Sequence, residues 1–101
     1  MMAAYSSALN GNETFLLERN EKLGKKIYIT GKGRCNLSNY CSEEDFLKNV
    51  VSNPKFMFSS LNRLNPYDTV ELFNNLGLKT KVERGNRVFP ESDKASDVTK
   101  V

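Results

Sequence analysis

Glu18 and the run Thr30-Gly31-Lys32-Gly33-Arg34-Cys35-Asn36-Leu37-Ser38-Asn39 are the parts of this chain best suited to chemistry. The carboxylate closes an apolar stretch, Thr14-Phe15-Leu16-Leu17, which predicts a short strand ending on an acid. A carboxylate at a strand end accepts hydrogen bonds from ribose hydroxyls. A glycine-rich basic loop brings backbone N–H groups close to phosphate or a flavin ring. Gly31 and Gly33 lack Cβ, which allows close approach of a ligand or a positive φ. Arg19, Lys22, Lys25, Lys26, Lys32 and Arg34 lie between residues 19 and 34, opposed only by Glu21. Such a run is usually a solvated face, but the glycines within it favour an anion site.

Each of these residues has a plainer reading. Glu18 can be a surface carboxylate paired with Lys22 or Arg19, and Cys35 a small buried residue, as free cysteines usually are. The chain has no His, so a Cys35 thiolate has no imidazole base, and neither a Ser-His-Asp set nor a four-ligand zinc site can be assembled. Cys35 and Cys41 are too few for a disulfide framework and point to a reducing cytoplasm. At 101 residues, with 39% hydrophobic and 27% charged content, the composition is that of one small globular domain. The net charge of +3 is too mild to argue for nucleic acid by itself. No stretch reaches the ~20 apolar residues of a membrane span, and Met1–Tyr5 lacks the basic start of a signal peptide.

The elements that must position these residues follow from periodicity and punctuation. Residues 1–10 read as a helix stopped by Asn10-Gly11-Asn12, followed by the strand at 14–18. Residues 19–41 read mostly as loop, with Ile27-Tyr28-Ile29 open to either helix or strand. Ser42, ahead of Glu43, Glu44 and Asp45, predicts a capped helix with Phe46, Leu47, Val50 and Val51 on one face. Asn53-Pro54 and Asn65-Pro66 open two more, carrying Met57, Phe58, Leu61 and Leu64, then Tyr67, Val70, Phe73 and Leu76, with Gly77 as the stop. These stripes read as core. Leu78, Thr80 and Val82 alternate with Lys79, Lys81 and Glu83 as a half-buried strand, and Gly85-Asn86 predicts the turn of a hairpin at about 79–89. Ser92 or Asp93 is expected to cap a last helix.

Three blocks in this order, Leu16 to Lys26, Thr30 to Asn39 and Arg87-Val88-Phe89-Pro90-Glu91-Ser92-Asp93-Lys94-Ala95-Ser96-Asp97-Val98, resemble the BaiN-type, aminoacetone-oxidase-like family of NAD(P)/FAD-dependent oxidoreductases. The resemblance covers essentially the whole chain. It implies an α/β fold, a partial FAD-binding Rossmann-like domain with a helical segment at about 42–77. It also implies FAD as cofactor, NAD(P)H as electron donor and a small-molecule substrate. Glu18 matches the ribose-binding acid, with Arg19 packing on the adenine side. Gly31, Gly33, Arg34, Cys35 and Asn36 match a loop near the flavin and pyrophosphate. Lys32 stands where the family often has Gly, and the Arg87–Pro90 block has no chemical role evident from sequence. The family's FAD domain opens with a strand and a G-x-G-x-x-G turn that are absent here, and Met1–Ala4 resembles the residues just after them. The chain therefore reads as a single incomplete domain, 1–101, expected to be inactive alone, to bind FAD weakly or not at all, and to self-associate.

Two other classes compete. One is a small basic nucleic-acid module using Lys25, Lys26, Lys32 and Arg34 with Tyr28 for stacking; the acidic helix start at 43–45 and the modest net charge oppose it. The other is a structural piece with no ligand. The reading adopted has no nucleic-acid or membrane partner.

Overall fold

Side chains at the helix ends set most of the element boundaries. A computed structural model describes residues 1–101. Helix α1 (Met2–Leu9) stops where the Asn10 side-chain amide donates back to the Ser6 carbonyl at 2.7 Å. Helix α2 (Glu43–Lys48) starts at Ser42, whose Oγ accepts from the Asp45 N–H at 3.1 Å. Glu43, Glu44 and Asp45 sit at its positive end and Lys48 at its negative end. Pro54 opens a 3-10 turn (Pro54–Met57) that runs into the single-turn helix α3 (Phe58–Leu61). Helix α4 (Pro66–Asn75) carries a full capping box: Asn65 Oδ1 accepts from the Asp68 N–H at 2.9 Å, and Asp68 Oδ2 accepts from the Asn65 N–H at 3.0 Å. Gly77, at φ +97°, ends it as expected.

Strands β1 (Ser38–Asn39), β2 (Thr80–Glu83) and β3 (Arg87–Pro90) form an antiparallel sheet in the order β1-β3-β2. Val82 faces Val88 and Glu83 faces Arg87 across the hairpin, whose turn holds Gly85 and Asn86 at φ +75° and +57°. Strand β1, read from sequence as loop, is pinned to the other edge of β3 by Leu37 N–H to the Val88 carbonyl at 2.8 Å and by the Asn39 side chain to the Gly85 carbonyl at 2.8 Å. The core joins Cys35, Leu78, Ala95 and Val98, packed by Ile27, Leu37 and Phe73. It thereby ties the glycine-rich loop to β2 and to helix α5 (Ala95–Val98). The result is an α/β arrangement of short helices around a small sheet.

Several expectations are corrected. Thr14–Glu18 forms no strand: residues 13–18 make no backbone hydrogen bond, because a strand needs a neighbour and the three strands present pair among themselves. The apolar helix stripes are only partly core. Leu61 and Val70 are buried and Phe73 packs on the core, but Phe58, Tyr67 and Leu76 stay substantially exposed. The face of β2 is inverted. Val82 is half exposed, while Lys81 and Glu83 are drawn inward by ion pairing. Neither Ser92 nor Asp93 caps α5, which starts from Lys94 without a side-chain cap, because Asp93 is engaged by cations.

Candidate functional site: a left-handed glycine loop and the clamp behind it

The 3-10 segment Ile27–Gly33 breaks at Thr30, whose ψ of 150° ends the first turn. Gly31 and Lys32 are then both left-handed, followed by Gly33 at φ +84° and Cys35 at φ +57°. Left-handed backbone costs a residue with a Cβ roughly 1–2 kcal/mol, so Lys32 and Cys35 need support from their surroundings. Arg34 N–H donates to the Gly31 carbonyl at 3.2 Å and Cys35 N–H to the Thr30 carbonyl at 3.1 Å, closing the loop on itself. The Cys35 side chain is buried in the core.

The two glycines differ. A Cβ at Gly31 would lie 2.9 Å from the Asn36 backbone nitrogen and 3.3 Å from the Phe89 ring. That Asn36 N–H donates to no acceptor in the protein. The missing Cβ therefore leaves a small hollow in front of a free donor. A Cβ at Gly33 would meet only the Tyr28 carbonyl oxygen, at 3.8 Å, so this part of the backbone is open. The Asn36 side-chain amide braces the loop against the sheet: the Ser38 and Val88 carbonyls, at 3.0 and 3.2 Å, are both acceptors and assign its nitrogen, as donor, to that side.

Arg34 forms a clamp behind the loop. Its guanidinium lies 4.1 Å from the centroid of the Phe89 ring, donates to Glu83 at 2.5 Å, and donates through Nε to Asp93 at 2.8 Å. Lys81 Nζ reaches Asp93 at 2.7 Å. Hydrogen bonding from Arg34 holds the Glu83 carboxyl below its ordinary range, and Lys81 followed by Arg34 does the same for Asp93. In return, Glu83 and Asp93 raise Arg34, and Asp93 raises Lys81. All four groups are therefore charged across the neutral range.

The expected cofactor residues thus divide. Gly31, Gly33 and Asn36 present backbone on the open side. The Arg34 guanidinium and the Cys35 side chain do not: one is committed to protein carboxylates, the other to the core. Glu18 is exposed and pairs with neither Lys22 nor Arg19. Its Oε1 accepts from the backbone N–H and side-chain amide of Asn20, and the backbone bond first of all lowers its pKa. Arg19 lines an open cleft of about 760 Å³ with Lys22, Lys25 and Tyr28. Tyr28 leads into the glycine loop and is tied by its hydroxyl to that of Thr99 at 2.9 Å. Glu83, Asp93, Phe89 and Thr99 were not singled out from sequence as residues of the site. The Arg87–Pro90 block was a signal for Phe89 alone, and it proves to supply the platform under Arg34.

The strands present pair antiparallel, so the class of domain is given by the family match rather than by the sheet. The chain is a member of the HI0933-like protein Rossmann domain family, a family of FAD-binding oxidoreductases, whose profile matches residues 1–101. It is 37% identical over 100 residues to the 3-dehydro-bile acid delta(4,6)-reductase of Clostridium scindens, a match covering 97% of this chain and 24% of that protein. It is 35% identical over 68 residues to the ribosomal RNA dihydrouridine synthase of Escherichia coli, covering 67% of this chain and 16% of that protein. The chain thus spans a quarter or less of the length of these curated relatives. No helix is long and apolar enough to cross a membrane.

Proposed function

We propose that this chain contributes part of the FAD site of a flavin-dependent oxidoreductase. The observation that carries the reading is the free Asn36 N–H in front of a Gly31 that a Cβ would fill. Such a hollow suits an oxygen acceptor of a pyrophosphate or a flavin ring. In this reading Glu18, kept ionised by Asn20, accepts from the adenosine ribose, and Arg19 lies beside the adenine. Gly33 and Asn36 offer backbone to the diphosphate and flavin side. Arg34 and Cys35 act from behind: the clamp on Glu83, Asp93 and Phe89 and the anchor in the core hold the loop, with its left-handed Gly31, Lys32 and Cys35, in place. Bound FAD would supply the hydride chemistry, with NAD(P)H as the electron donor. The reductase name of the C. scindens relative supports redox chemistry of this kind. The two free thiols suit a reducing cytoplasm.

Weak binding is enough for a test. Millimolar FAD added to the ¹⁵N-labelled chain is expected to shift the amides of Glu18, Arg19, Gly33 and Asn36. Glu18→Ala should reduce the response by about ten- to hundredfold in affinity, the worth of a charge-assisted hydrogen bond, whereas Glu21→Ala should not. Shifts confined to other residues, or equal responses from the two variants, would refute the reading.

A further inference from the structure

The Arg87–Pro90 block supplies Phe89 to the clamp, but Arg87 itself takes no part in it. Residues opposite each other in the sheet share a face, and so do alternate residues along a strand. Lys81, Glu83, Arg87 and Phe89 therefore stand on one face. The glycine loop lies over it, since Arg34 stacks on Phe89 and a Cβ at Gly31 would lie 3.3 Å from that ring. The charges gathered here do not balance. Arg34 and Lys81 offset Glu83 and Asp93, which leaves Arg87 over. Its cross-strand neighbour is Glu83, and Glu83 is already held by Arg34. Arg87 Nε donates to the Arg84 carbonyl at 3.0 Å, while its two Nη groups donate to nothing in the protein. The residue is exposed, and its guanidinium lies 5.7 Å from the centroid of the Phe89 ring. The same ring borders the hollow at Gly31, where the Asn36 N–H is free.

We propose that Arg87 binds a phosphate oxyanion of the ligand that occupies this hollow. The proposal rests on FAD as that ligand and names the cation its diphosphate requires. Arg34 does not serve, because two protein carboxylates already neutralise it. Arginine presents paired N–H groups that match phosphate oxygens. Contact with an aromatic ring steadies a guanidinium without cancelling its charge. Arg87 meets both conditions: Phe89 and the Arg84 carbonyl hold it, and its Nη groups stay available.

Titrations of the ¹⁵N-labelled chain with inorganic pyrophosphate, riboflavin and FAD, read at the Asn36 amide, test this. Pyrophosphate carries the oxyanion without the flavin, and riboflavin the flavin without the oxyanion. Arg87→Gln should weaken pyrophosphate and FAD about tenfold or more, the worth of a charge-assisted hydrogen bond, and leave the riboflavin response unchanged. Arg87→Lys keeps the charge and should recover part of the loss. Arg84→Gln removes the same charge from the neighbouring turn and should weaken neither ligand. Circular dichroism checks that the variants fold, as their exposed positions lead us to expect. If FAD shifts Asn36 equally in wild type and Arg87→Gln, FAD binding stands and the role of Arg87 is overturned. If FAD shifts nothing, the FAD reading falls, yet a pyrophosphate response that depends on Arg87 upholds the oxyanion site. A wild type that does not respond to pyrophosphate, or equal losses from Arg84→Gln and Arg87→Gln, overturns the proposal.

Discussion

Replacing Gly31 by alanine should cost far more than the same change two residues later, and the difference measures how tightly the loop is built. Both positions have positive φ, +54° and +84°, so each alanine pays roughly 1–2 kcal/mol for left-handed backbone. At Gly33 little is added, since the new methyl meets only an oxygen at 3.8 Å. At Gly31 the methyl would sit 2.9 Å from the Asn36 backbone nitrogen and 3.3 Å from the Phe89 ring. The first neighbour is main chain braced by the Asn36 side chain, and the second is a buried ring stacked under Arg34, so neither yields cheaply. Overpacking of this kind costs typically 1–3 kcal/mol. Gly31→Ala should therefore lose about 2–5 kcal/mol and Gly33→Ala about 1–2 kcal/mol. In a domain of this size the difference corresponds to a melting temperature roughly 10 °C lower for Gly31→Ala. Thermal melts by circular dichroism measure both. The larger branched substitution Gly33→Val should keep the fold yet abolish the FAD-induced amide shifts, because it crowds the open side. Equal melting losses for the two alanine variants would show that the hollow at Gly31 does not exist as described.

Two further outcomes follow from the ion cluster and the caps. Glu83 and Asp93 have folded pKa values below their ordinary ones, so the stability they contribute is complete above the ordinary carboxylate pKa, about 4, and is lost as pH falls through the depressed values. Urea melts between pH 6 and pH 2 should show a steeper acid loss for wild type than for Glu83→Gln/Asp93→Asn, and parallel curves would remove the cluster from the account. Asn65→Ala breaks one half of the α4 capping box and should cost about 1 kcal/mol; a urea midpoint unchanged by Asn65→Ala would count against the cap.

Helix boundaries were legible because their causes are local. Ser42 and Asn65 cap through side chains three residues from the N–H groups they satisfy, and Gly77 stops α4 by its own backbone freedom. The hairpin was legible for the same reason, since Gly85-Asn86 turns the chain without outside help. The glycine loop was recognisable by residue type, and membership of the family by the order of three blocks. Contacts between distant residues were not legible. Whether Thr14–Glu18 becomes a strand depends on a neighbour, and no local propensity supplies one. Strand β1 has two residues with no pattern of their own, and it exists because β3 offers an open edge. Arg34 looked like a ligand contact because a basic residue beside glycines suits an anion. Its fate was decided by Glu83 and Asp93, 49 and 59 residues away in sequence, which the fold brings to its guanidinium. The same pairing turned Lys81 and Glu83 inward and left Val82 outside, against the alternation of the strand. Backbone conformation is set within a few residues, whereas the partner of a charge or of a strand edge is set by where the chain returns.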